Sequence, residues 1–331
     1  MLEMSMDRPT RESNGAVDAA LMFVVLMWAL TFTTFKVAWR NVDPVAFTAA
    51  RFAAMLVIAF VVLRFAKSRV RLRRADIPTI VASGLAGYFA YQMLFILGLD
   101  RTTAVASAIL VSTHPLFSVL FGWMLGREQP TRRQVLGIAL AFLGVVVFLR
   151  VWDALGTATW GDLLSLGAAA AFGAYGVINQ PLSKRYPQRE VMAYTLAIGG
   201  GLIALVGLPA VVRQDWGALN ATDWLIMLYA IVGPVYLAYA LWNWAIHKRG
   251  IARTTPYGFA VPVVAAVLAV IFLGETLHPE QIVGGLMVVS GLVVTRMPAR
   301  RRAGHAPGPS GVASPADPAD PAARANVEAA S

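Results

Sequence analysis

PLFSVLFGWMLGRE, residues 115–128, and PVVAAVLAVIFLGE, residues 262–275, are one pattern written twice. Each copy opens on a proline inside an apolar run and closes on a glutamate at the same spacing. The match continues past the glutamates. Gln134, Gly137 and Gly144 recur as Gln281, Gly284 and Gly291, so that five pairs stand 147 positions apart with no gap between copies. A proline inside a helix removes one backbone hydrogen bond and costs about 3 kcal/mol. Writing that break twice, at matched places, is the sequence sign of a transporter whose site lies at a repeat interface.

Composition places the repeat in a membrane. The chain has 331 residues, 58% hydrophobic and 14% charged, against about 25% charged in a soluble domain. Apolar runs of about 20 residues recur from Val17 to Val294, each long enough to cross about 30 Å of hydrocarbon as a helix. They are too long and continuous for barrel strands. There are no cysteines, which removes disulfides, thiolate metal sites and cysteine nucleophiles. The net charge of +10 would suggest nucleic acid in a soluble protein. Here the basic residues sit in short loops and set topology instead, so no nucleic-acid partner is expected.

The spacing predicts an all-α protein of ten transmembrane helices: about 17–38, 45–65, 77–99, 103–125, 131–149, 162–182, 191–212, 224–246, 252–273 and 280–296. Residues 1–16 form a polar N-terminal segment, 17–149 a first five-helix repeat and 150–161 a connecting loop. Residues 162–296 form a second repeat, and 297–331 a disordered tail poor in apolar surface. Arg64 to Arg74, Arg127 to Arg133, Lys184 to Arg189 and Lys248 to Arg253 fall on one side, whereas Arg40, Arg101, Arg150 and Arg213 fall on the other. The positive-inside rule then puts both termini in the cytoplasm of a multi-pass plasma-membrane protein. Because each half holds an odd number of helices, the second enters in the opposite sense, an inverted-topology repeat.

Polar residues inside these spans are the functional candidates. Pro115 and Pro262 are candidate gating breaks, freeing carbonyls near Val111 and Gly258. His114, next to the first break, is a candidate proton-linked switch or a neutral histidine bonded to a neighbouring helix. Rings and amides collect in spans expected to face the centre: Trp28, Tyr88, Tyr91, Gln92, Tyr175, Asn179, Tyr239, Trp242, Asn243 and Tyr257. They suit a small-molecule pocket, although interhelical hydrogen bonding would also use many of them. Lys36 and Arg51 are either outer anchors or cavity cations. No Asp or Glu falls inside the spans, which favours zwitterionic, neutral or anionic substrates over organic cations. The paired glycines would let helices five and ten approach closely, within one chain or between the subunits of a homodimer. Glu128 and Glu275 are expected to hold backbone donors at the start of the helix that follows each.

At this point the residues resemble a known family. Trp28, Lys36, Pro44 and Arg51-Phe52 look like the first helix pair of EamA-type transporters of the drug/metabolite transporter superfamily. Pro115, Leu125-Gly126-Arg127-Glu128, Gly137 and Gly144 resemble the signature that closes an EamA repeat. Gly161-Asp162-Leu163 resembles the start of the second copy, which Pro262, Leu273-Gly274-Glu275, Gly284 and Gly291 close. The resemblance covers about residues 20–297. It implies a ten-helix fold that moves small polar metabolites, often amino acids, usually outward. Phe172 departs from it, standing where the family often has Trp.

The function expected is a secondary transporter exporting amino-acid-like or other zwitterionic or neutral compounds by alternating access. Its partners would be its substrate, the bilayer and a coupling proton, with no cofactor or metal. The alternative is a carrier for phosphorylated or nucleotide-linked metabolites. A membrane-embedded enzyme is disfavoured, because HExxH, GxSxG and an intramembrane carboxylate pair are missing.

Overall fold

The computed structural model describes residues 11–65, 72–127, 129–150 and 159–296. Glu128, the polar segment before residue 11 and the tail lie outside them.

The described residues form ten helical rods. These are α1 (Arg11–Ala38), α2 (Pro44–Phe65), α3 (Arg74–Arg101), α4 (Ala104–Met124), α5 (Arg132–Phe148), α6 (Trp160–Arg185), α7 (Gln188–Arg213), α8 (221–249), α9 (251–273) and α10 (Pro279–Arg296). Seven of them, α1 to α4 and α6 to α8, are long and apolar enough to cross a membrane; α9 and α10 contribute shorter apolar helices. Their starts are written in the sequence. Thr131 with Gln134, Thr159 with Asp162 and Asn220 with Asp223 form reciprocal capping boxes at α5, α6 and α8, each satisfying donors that a helix start leaves open.

Two of these caps also tie the halves together. Asp162 accepts a bond from the Thr102 hydroxyl at 2.5 Å, and Asp223 accepts one from the Asn41 amide at 3.0 Å. Asp162 and Asp223 are buried at the helix edges, so their charge is taken up by caps and cross-repeat bonds.

Packing follows the exchange that the repeat requires. α1 lies against α8 and α9, and its equivalent α6 lies against α3 and α4. α2 packs on α7 and α5 on α10. The α5–α10 crossing explains the paired glycines. A Cβ on Gly137 would come within 2.7 Å of the Gly291 carbonyl, and one on Gly144 within 2.8 Å of the Gly284 carbonyl. Each glycine of one repeat thus faces the other glycine of the second. The small faces are used within the chain, where they allow backbone-to-backbone approach.

Four rods are interrupted, in matched pairs. α4 breaks at Ser112-Thr113 into Ala104–Val111 and His114–Met124, with Pro115 in the first turn of the second piece. α9 runs through a 3-10 turn, Thr255–Phe259, into Ala260–Leu273, just ahead of Pro262. α3 and α8 each contain a π segment, Leu85–Ala90 and Gly233–Leu237. The Tyr91 N–H reaches the Ala86 carbonyl, and the Ala238 N–H reaches the Gly233 carbonyl. Both bonds span five residues, and they too stand 147 positions apart. Such π turns widen a helix locally and concentrate at functional sites.

Candidate functional site

The break in α4 is held by its own side chains. The Ser112 and Thr113 hydroxyls donate to the Ile109 and Leu110 carbonyls at 2.6 Å each, and His114 Nδ1 lies 3.2 Å from the Val111 carbonyl. Three consecutive residues therefore satisfy the carbonyls three places back, as an interrupted helix in a membrane requires. The freed group expected at Val111 finds its partner in His114. Because a carbonyl only accepts, Nδ1 carries the proton in that bond. The imidazole edge meets Phe172, with ring centroids 5.0 Å apart.

Phe172 belongs to a closed circuit of rings. From Phe172 it runs through Tyr175 (5.6 Å), Tyr88 (6.1 Å) and Phe52 (6.4 Å) to the Arg51 guanidinium, 4.9 Å from the Phe52 centroid. It returns through Phe35, 5.1 Å from the same guanidinium, to Phe95 (6.4 Å), Tyr91 (5.9 Å) and Phe172 (4.8 Å). α1, α2 and α3 of the first repeat and α6 of the second supply it. Its spacings and tilts are those that aromatic quadrupoles favour.

A second cluster completes the centre from α1 and α8. Trp28 stacks near Trp242 at 5.1 Å and Tyr239 at 5.7 Å, and its indole N–H donates to the Pro234 carbonyl at 3.0 Å. Tyr239 is 41% exposed, yet it lies within electrostatic reach of Tyr88, Tyr91 and Tyr175 in α3 and α6. Asn243, one turn on, is exposed as well.

The two clusters occupy equivalent places. Trp28 and Tyr175 stand 147 positions apart, as do Gly87 and Pro234. Trp28 rests on Pro234, and a Cβ on Gly87 would run into the Tyr175 ring. In each half, an aromatic from the first helix of the repeat sits on the π segment of the other half.

The remaining candidates scatter. Gln92 is buried in α3. Asn179 is buried, and its amide donates to Ser183 within its own helix at 3.0 Å. Tyr257 donates to Asp18 in α1. Asp18 corrects the reading that no acidic residue enters a span, for it falls within the apolar stretch Gly15–Ala38. It is the second residue of the expected span 17–38. Lys36 is half-buried in the last turn of α1, with Glu275 and Asp100 as its charged neighbours.

Glu275 gives a second correction. Its carboxylate accepts the Ala104 and Val105 backbone N–H groups at 2.6 and 3.0 Å. It caps α4 of the opposite repeat and not the helix that follows it. The helix dipole favours a carboxylate at either start, and only the fold decides which one is within reach. Sequence reasoning also missed Phe35, Phe95 and Tyr229, and it singled out Phe52 only through the family resemblance. Tyr229 donates to the Met27 carbonyl and lies 3.2 Å from the Thr31 hydroxyl.

Comparison with known proteins agrees with this architecture. The model of the EamA-like transporter family matches residues 16–150 and again 159–297. A probable terminal-alkyne amino-acid exporter of Streptantibioticus cattleyicolor is 30% identical over 87% of this chain and 97% of its own. A probable amino-acid metabolite efflux pump of Salmonella typhimurium is 26% identical over 82% and 92%. One protein of known crystal structure shares the fold with a TM-score of 0.57 at 21% identity, covering 85% of this chain and 96% of that one. Two matched copies, two aromatic clusters exchanged between them and seven apolar helices long enough to span a bilayer lead to one conclusion: the chain is a multi-pass membrane protein of the EamA-like transporter family.

Proposed function

We propose that this transporter exports small zwitterionic or neutral metabolites of amino-acid type, and that it does so by alternating access across ten membrane spans with both termini in the cytoplasm. One observation carries the mechanism: the reciprocal seating of Trp28 on Pro234 and Tyr175 on Gly87. Each half grips the π segment of the other through an equivalent aromatic. An inverted repeat of this kind has two arrangements related by a pseudo-two-fold axis in the membrane plane, and passing between them exposes a central site to either side in turn. Pro115 and Pro262, at the interrupted helices, are the hinges in this reading.

Chemistry at the centre supports the substrate class. The rings offer apolar and cation–π surface for a small organic molecule. Carboxylates within or at the ends of the spans are engaged: Asp18 by Tyr257, Asp162 and Asp223 by caps, and Glu275 by α4. Relatives named as amino-acid exporters favour the same class. The test is counterflow in liposomes containing the purified full-length chain. Preloaded unlabelled leucine should drive accumulation of labelled leucine above that of empty liposomes. Accumulation of a phosphorylated sugar but of no amino acid would overturn the substrate class.

A further inference from the structure

We propose that Arg51 is the receptor for a single carboxylate on the transported molecule. This rests on the exporter reading above and adds the group by which the substrate is gripped. Arg51 is 3% exposed, two turns into α2. Its Nε and Nη2 atoms are buried with no hydrogen-bond partner, and among the described residues it has no ion-pair partner. A guanidinium cannot shed its charge by losing a proton as a lysine can. Basic residues inside membrane spans pair with an acid or carbonyl, reach an interface or serve a transport path. Arg51 does neither of the first two.

The donors left over have a shape. Nε–H and Nη2–H lie on one edge of the guanidinium plane and point the same way. That edge meets both oxygens of a carboxylate in a bidentate pair. Phe35 and Phe52 hold the plane from 5.1 and 4.9 Å but offer no acceptor. The guanidinium belongs to the ring circuit that runs through Phe35, Phe95 and Tyr91 to Phe172 of α6, so it sits where the first repeat meets the second. Lys36, the other cation in an apolar run, has Glu275 and Asp100 beside it. Charge also selects the ligand. One unpaired guanidinium neutralises a monoanion, whereas a phosphate ester carries about −1.5 to −2 and would remain in excess.

The experiment uses the purified full-length chain in detergent and reads the shift in thermal midpoint. The probes are leucine, leucinamide, 4-methylpentanoate and inorganic phosphate at millimolar concentration. Leucine and 4-methylpentanoate should stabilise the wild type, and leucinamide should not. Arg51→Gln should abolish both shifts. Without ligand it should melt no lower than the wild type, because it removes an unpaired buried charge. Arg51→Lys keeps the charge without the fork and should weaken leucine binding about tenfold or more. Equal stabilisation by leucine and leucinamide overturns the proposal, as do shifts that persist in Arg51→Gln or stabilisation by phosphate alone. If Arg51→Gln does not fold, Arg51→Lys decides by the same criterion. Counterflow separates the two readings. If the wild type moves leucine and Arg51→Lys moves it equally well, only the role of Arg51 falls. If the wild type moves neither leucine nor leucinamide, the exporter reading falls with it.

Discussion

The Trp28 indole N–H and the Pro234 carbonyl oxygen meet at 3.0 Å, tying the first helix of one repeat to the π turn of the other. Pro234 has no N–H to give to a helix, and the turn around it shifts to bonds five residues long. A carbonyl is thereby presented sideways, and Trp28 takes it. The equivalent contact, Tyr175 against Gly87, uses ring packing in place of a hydrogen bond. The two halves are thus alike in backbone and unlike in chemistry, so the two arrangements of an alternating cycle need not be equal in energy.

Trp28→Phe should expose that difference. It keeps the ring beside Tyr239 and Trp242 but removes the donor. The expected loss is about 1 kcal/mol, rising to about 3 if the Pro234 carbonyl finds no other partner. Thermal unfolding in detergent and the initial rate of counterflow check it. A variant with unchanged midpoint and rate would mean that the bond has no part in stability or cycling.

Gly284→Ala should be far more damaging than its chemistry suggests. A Cβ there would approach the Gly144 carbonyl to 2.7 Å, with the Phe148 backbone on its other side. Backbone cannot yield as a flexible side chain can, and overpacking typically costs about 1–3 kcal/mol. Gly201→Ala is the control: a Cβ there meets nothing within 4 Å, and Ala for Gly in a helix gains up to about 1 kcal/mol. The yield of monodisperse protein and the thermal midpoint should move in opposite directions for the two.

These two sites show what sequence can and cannot carry. Gly284 was legible because its partner copy, Gly137, is the same residue at a fixed offset. The helix limits were legible to within a few residues because apolar length is local. The equivalence of Trp28 and Tyr175 was not, since the residues differ and only the backbone is repeated. The π segments left no signal either: Gly87 and Pro234 occupy the same place for different reasons. Glu275 was read as capping its neighbour in sequence, when the start of α4, far away in the chain, lies closer in space. Arg51 was legible as an anomaly in an apolar run. That its Nε and Nη2 lack partners depends on the helices packed around it and is written nowhere in the run itself.

Glu275→Gln tests that long-range cap. The carboxylate holds two N–H groups at the start of α4, whose first piece is only Ala104–Val111. Gln keeps one acceptor and loses the charge that the helix dipole favours, for an expected loss of about 1–2 kcal/mol. Glu275→Ala should lose more. Lys36→Met combined with Glu275→Gln should cost less than the sum of the two, since each single change leaves a charged neighbour behind. A double-mutant cycle of thermal unfolding measures this, and strict additivity would show that Lys36 does not sense Glu275.

Pro115→Ala separates folding from gating. Pro115 stands in the first turn of the second piece of α4, where its missing N–H costs nothing. Stability should therefore change by no more than about 0.5 kcal/mol. Transport should slow, because Ala permits the two pieces to join into one continuous helix. A rate equal to the wild type, with insertion intact, would remove this break from the cycle.

His114→Asn asks whether the histidine does more than close the break. The Asn amide nitrogen can stand where Nδ1 stands, so the bond to the Val111 carbonyl survives. What is lost is the imidazole, the side chain whose unperturbed charge change falls between about pH 5 and 8. With Nδ1 committed to a carbonyl, a second proton can enter only at Nε2, on the far side of the ring from the break. A proton-linked carrier should then keep its thermal midpoint in His114→Asn while its transport rate loses its dependence on pH over that range. His114→Leu, which abandons the Val111 carbonyl, should be less stable at every pH. If pH dependence persists in the stable Asn variant, His114 is a cap that completes the series begun by Ser112 and Thr113, and the coupling proton binds elsewhere.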